Sequence, residues 1–127
     1  MKVSLRNRAD NESPSVISDL GWKYHHLGIP TTAQKPGERY LPALKMYVSG
    51  FETSPYGIEW MRFEEGSPVS KLIRTVPHVA FEVENLDEVL REHDFEVLSE
   101  SSSPSDGVRV AMIVHNGAPV ELMEFGG

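Results

Sequence analysis

The second half of the chain carries the clearer pattern of apolar and polar positions. His78–Val83 reads as a strand. Asn85-Leu86-Asp87-Glu88-Val89-Leu90-Arg91 supplies an N-cap, an acidic first turn and apolar residues at helical spacing, which predicts a helix of about two turns. Phe95–Leu98, Val108–Val114 and Pro119–Phe125 read as strands, and Ser99–Gly107 as a Ser/Pro-rich loop. Asn116-Gly117 is a strong hairpin signal, because both residues tolerate the positive φ of a tight turn. A two-residue turn there sets His115 opposite Ala118, Met112 opposite Glu121 and Arg109 opposite Glu124.

The first half is strand-rich but less regular. Trp22–Ile29 reads as a strand that breaks at Pro30-Thr31-Thr32. Pro36, Gly37 and Pro42 exclude a regular helix over 31–43. Leu44–Phe51 and Gly57–Phe63 read as strands joined by a turn around Ser54-Pro55-Tyr56-Gly57, and Ser67-Pro68 opens a short helical stretch to Ile73. Residues 1–21 form a polar N-terminal extension, its first dozen residues expected to be mobile. Ser13–Gly21 has the marks of a short helix, with Ser13 as cap and Gly21 as exit. Residues 22–127 are then a single domain.

That domain contains an internal repeat. Ile58-Glu59-Trp60-Met61-Arg62-Phe63 matches Val120-Glu121-Leu122-Met123-Glu124-Phe125, and His26-Leu27-Gly28-Ile29 matches His78-Val79-Ala80-Phe81. Two modules result, at about 22–66 and about 76–126, each too small to bury a sufficient core alone. Strand alternation puts His26, Glu59, His78 and Glu121 on one face, with Leu27, Ile29, Val79, Phe81, Val120 and Leu122 on the other. A His and a Glu on a core-facing strand are costly without a partner, and the repeat incurs that cost twice. Two imidazoles and two carboxylates suit one divalent ion, Zn, Ni, Co, Mn or Fe(II). The competing arrangement is two buried His–Glu couples with no metal.

Composition narrows the function classes. The chain has 127 residues and a net charge of −7, which disfavours nucleic acid and anionic membranes as partners. Cysteine is absent, so thiol nucleophiles, disulfides and zinc-thiolate sites are excluded. No apolar run approaches bilayer length and the N-terminus lacks a signal-peptide core, so a soluble cytoplasmic protein is expected. His25 follows strand alternation to the face opposite His26, where a structural or surface role is expected.

The segments Tyr24-His25-His26-Leu27-Gly28-Ile29, Pro77-His78-Val79-Ala80-Phe81-Glu82-Val83-Glu84-Asn85-Leu86-Asp87 and Val120-Glu121-Leu122-Met123-Glu124-Phe125 resemble the vicinal-oxygen-chelate superfamily. That superfamily includes glyoxalase I, methylmalonyl-CoA epimerase, extradiol dioxygenases and the bleomycin and fosfomycin resistance proteins. The resemblance implies an α+β fold of two βαβββ modules forming a U-shaped mixed sheet, often in a homodimer. Here the first-module helix is short or absent, and Pro14–Leu20 is expected to cover that module's exposed face instead. The resemblance further implies a metal held by His26, Glu59, His78 and Glu121. The reaction implied is lyase or isomerase (epimerase) proton abstraction beside a carbonyl of a small-molecule substrate, the ion stabilising an enediolate. Glu121 or Glu59 would be the base, Glu121 preferred. The alternative is a metal-free small-molecule-binding protein like the bleomycin-resistance branch.

Overall fold

The computed structural model describes residues 13–105 and 107–126. The order is α1 (Ser15–Ser18), β1 (Lys23–Pro30), β2 (Arg39–Leu41), β3 (Met46–Ser49), β4 (Ile58–Phe63), α2 (Lys71–Thr75), β5 (His78–Glu82), α3 (Leu86–Glu92), β6 (Glu96–Ser105), β7 (Val108–His115) and β8 (Ala118–Phe125). Expectations for the first dozen residues lie outside the described part. No helix among the described residues is long and apolar enough to cross a membrane.

All eight strands form one mixed sheet in the order β2-β3-β4-β1-β5-β8-β7-β6. The order is mirrored about the β1–β5 junction. In the first half β1 lies parallel to β4; in the second, β5 lies parallel to β8. β1 and β5 pair antiparallel with Leu27 opposite Val79, so His26 faces Ala80 and His78 faces Gly28. The matched segments of the repeat take matched positions: Gly28 stands opposite Glu59, and Ala80 opposite Glu121. A pseudo-twofold relation through the Leu27–Val79 pair connects the halves.

Side-chain alternation then sorts the core. One cluster holds Trp22, Phe81, Val83, Leu86, Ala111, Ile113 and Leu122 on the second half's helix-bearing face. α3 seats there through Leu86, which is fully buried, and the Asn85 side chain caps it by accepting from the Glu88 N–H at 3.0 Å. On the other face Met46, Val48, Met61 and Met112 gather around Ile73 of α2. The Asn116-Gly117 turn sets the β7–β8 register as the sequence requires, with Met112 opposite Glu121 and Arg109 opposite Glu124.

The structure departs from expectation at several points. α1 does not cover the first module; Val16 and Ile17 pack on the second half's cluster, beside Trp22 and Phe81. In the first half Leu27, Ile29, Ile58 and Trp60 stay half-buried, partly shielded by the Lys35 ammonium 4.4 Å from the Trp60 ring. Ser99–Gly107 is largely strand, because β6 is an edge paired on one side and tolerates polar residues and repeated register shifts. β2 forms within the Pro/Gly segment as a short edge strand, and α2 starts after its Ser70 cap, later than Ser67-Pro68 would place it. Ser13 caps nothing: Pro14 takes the N-cap position without a side-chain bond.

Gly28 is required by close approach. A Cβ there would lie 2.8 Å from both ring nitrogens of His78. Gly28→Ala is expected to displace that ring and to destabilise the protein by about 1–3 kcal/mol, as overpacking does. Urea unfolding measures it, and an unchanged midpoint would mean that the ring yields freely.

Candidate functional site

The central strand pairing builds the site. His26 on β1 and His78 on β5 stand over the small residues Ala80 and Gly28 of the opposing strand, so their rings lean toward one another. β4 and β8 flank this pair and add Glu59 and Glu121 from opposite sides. Both imidazoles are buried, at 4% exposure each. His78 Nε2 lies 3.1 Å and His26 Nε2 3.2 Å from the same oxygen, Glu121 Oε1, and the two Nε2 atoms are 3.3 Å apart. Glu59 Oε1 is 3.8 Å from His26 Nε2, beyond hydrogen-bond distance.

The four residues singled out by the repeat therefore meet on one face, but not equally. His26, His78 and Glu121 offer donor atoms that all lie within 4.8 Å of one another and could hold a metal ion. Glu59 stands beside that trio. A cation 2.0–2.2 Å from each donor sets adjacent donors roughly 2.9–3.4 Å apart. The three edges of the His26–His78–Glu121 triangle fall in that range, and the imidazole–carboxylate set matches a borderline divalent ion. The residues present fit the group.

Environment separates the two carboxylates. Burial works against the charged form of Glu121, but hydrogen bonds from His26 and His78 outweigh it and hold the carboxyl down to about 2. Burial raises Glu59 above the ordinary glutamate value, and the Glu121 charge adds to this; the pull of His26, His78 and Arg39 does not reverse it. Burial opposes protonation of His26, yet its bond to Glu121 and the charges of Glu121 and Glu59 move it upward.

Sequence reasoning missed His25. The β1–β5 register shifts between Tyr24 and His26, and this irregularity turns the His25 ring to within 2.7 Å of His26, Nδ1 to Nδ1. Phe51 stacks on His25 at 4.8 Å and Phe125 at 5.2 Å. Nothing in the apolar alternation signals the bulge; the adjacent pair of histidines was the available hint. Two clefts, of about 320 and 430 Å³, border Trp22 on the helix-bearing face and contain none of the four repeat residues. The convergence of ligating groups, rather than open volume, marks the site.

Glu121 is depressed on folding, so its ionised form contributes stability above pH 4.5 that is lost as the pH falls toward about 2. In chelator-treated protein, wild type is expected to exceed Glu121→Gln by about 3 kcal/mol at pH 7, from the 1.36 kcal/mol that each pKa unit is worth. That gap should close at pH 2. Urea unfolding across pH checks this, and a gap independent of pH would show that the Glu121 charge contributes nothing.

No family model and no curated protein matches the chain. Solved structures do. A hypothetical protein from Bacillus halodurans C-125 is similar at 22% identity and TM-score 0.64, over 84% of this chain and 96% of that one. A methylmalonyl-CoA epimerase from Mycobacterium tuberculosis is similar at 19% identity and TM-score 0.58, over 83% of this chain and 89% of that one. The fold is thus the curled, mixed α+β sheet with few helices that is described as glyoxalase-like.

Proposed function

We propose that the chain is a metal-dependent enzyme of isomerase or lyase type that removes a proton next to a carbonyl of a small molecule. One observation carries this reading: His26 Nε2, His78 Nε2 and Glu121 Oε1 form a triangle with edges of 3.1–3.3 Å, with a second carboxylate just outside it. His26, His78 and Glu121 would be the ligands. A divalent ion held there would supply Lewis acidity toward a substrate's vicinal oxygens. The epimerase among the similar structures favours the isomerase branch of this reading.

The chain's own residues divide the remaining work. Glu121 is bonded to both imidazoles and kept ionised, which makes it a weak proton acceptor suited to holding the trio together. Glu59 is better suited as the base. Its carboxyl is raised, it makes no hydrogen bond with His26, and its side chain keeps 20% exposure on the face where a substrate would enter. A raised carboxyl drives proton transfer more effectively near neutral pH and can return the proton to the carbanion it leaves.

Metal content after chelator-free purification, with solvent-deuterium exchange into 2-substituted acyl thioesters and hemithioacetals followed by NMR, tests the reading. Wild type is expected to hold about one ion per chain. Glu121→Gln should lose most of it. Glu59→Gln should keep the ion and lose exchange by about 10²–10⁴-fold, the range for a general base. Undiminished exchange in Glu59→Gln would remove it as the base. Failure of wild type to take up Zn, Ni, Co, Mn or Fe(II) would leave the hydrogen-bonded trio of a metal-free binding protein.

A further inference from the structure

The two imidazoles at the centre of the site are not equivalent. His78 is preceded by Pro77 and its Nδ1 is buried without a hydrogen-bond partner among the described residues. The matching position before His26 is His25, and the His26 Nδ1 has the His25 Nδ1 at 2.7 Å. This contact exists because the β1–β5 register slips between Tyr24 and His26, which re-aims a side chain that regular alternation would send to the other face. The His25 ring is fixed from outside the cluster. Phe51 lies nearly parallel to it, at 11° and 4.8 Å, and Phe125 at 27° and 5.2 Å.

We propose that His25 is a positioning residue that accepts the His26 Nδ1 proton and so keeps the His26 Nε2 lone pair facing the Glu121–His78 cluster for a metal ion. The proposal rests on the metal-binding reading above and deepens it. A neutral imidazole carries one ring proton, and a metal-ligating one must carry it on the other nitrogen. At 2.7 Å the two Nδ1 atoms share a single proton between them. If His25 donates, His26 has its proton on Nε2, aimed at Glu121 Oε1, and is closed to an ion. If His26 donates, its Nε2 is free and His25 keeps its own proton on Nε2. The pair holds two ring protons in either arrangement, so the change is balanced: one proton crosses between the Nδ1 atoms, while His26 Nε2 releases a proton to water and His25 Nε2 takes one from it.

Packing alone would explain a ring between two phenylalanines, and the experiment separates the two roles. Full-length ¹⁵N-labelled wild type, His25→Phe and His25→Asn are titrated with Zn²⁺, with two-bond ¹H–¹⁵N spectra of the histidine rings recorded throughout. Zn²⁺-loaded wild type is expected to show His26 protonated on Nδ1 and His25 on Nε2. His25→Phe retains the aromatic stack and should bind Zn²⁺ about 10–100-fold more weakly, the usual cost of losing such an outer hydrogen bond. His25→Asn offers Oδ1 as acceptor and should recover most of the affinity. Binding by His25→Phe within about twofold of wild type, or a His25 proton on Nδ1 in the loaded wild type, overturns the proposal. The wild-type spectrum decides even if a variant fails to fold. Wild type that takes up neither Zn²⁺ nor Ni, Co, Mn or Fe(II) offered in its place overturns the metal reading together with this one, whereas equal binding by wild type and His25→Phe overturns the role of His25 alone.

Discussion

The antiparallel pairing of β1 with β5 is the constraint on which the rest depends. It converts two four-stranded halves into one sheet and places His26 and His78 side by side over Ala80 and Gly28. Burying two imidazoles and a carboxylate is unfavourable unless each finds a partner. The second half pairs His78 with its own Glu121 at 3.1 Å, but the first half does not satisfy its histidine alone. His26 of the first half lies 3.2 Å from Glu121 of the second, closer than the 3.8 Å to its own Glu59. The cluster therefore ties the halves together through polar contacts at the place where the backbone ladder joins them. A slip of one residue in this pairing would turn the shifted strand's histidine to the opposite face, away from its partner.

Around that junction the two halves are finished differently. The second has α3 and a tight hairpin, so its contacts are local and its apolar face is covered, with Leu86 and Leu122 fully buried. The first has no helix after β1, and α1 also packs on the second half. Its exposed apolar face is tempered by long charged side chains instead. Lys35 lies over Trp60, and Arg62 lies over Tyr47 while its Nε and Nη2 donate to the Glu38 carboxylate at 2.8 and 2.7 Å. Such contacts cover surface without adding a layer, so the first half depends on the shared sheet for its order.

What the sequence made legible follows from what periodicity encodes. The β7–β8 register was readable because Asn116-Gly117 fixes the turn and the pairs follow by counting. α3 was readable from its cap and spacing, and the matching sites on two modules from the repeated His and Glu. Features that break periodicity were not. The register shift beside His25 inverts the face that alternation assigns to it, and β6 disguises itself as a loop because an edge strand needs no apolar stripe. Gly28 left a fainter trace. It lies inside a predicted strand, matched to Ala80 in the repeat, and only the fold shows the His78 ring that requires it.

The inequality of Glu59 and Glu121 lay beyond any reading of residue types. The repeat presents them as equivalents, each opposite a small residue on a central strand. Their environments differ because both imidazoles turn toward Glu121. A pseudo-twofold arrangement would offer each histidine its own carboxylate; two imidazoles converging on one oxygen leave the second carboxylate partly desolvated and under-bonded. That single asymmetry pushes one carboxyl down to about 2 and the other above its ordinary value. Paired acids with divergent environments take divergent roles. Under the proposed function, the duplicated site divides ligation from proton transfer without any change in the residues it repeats.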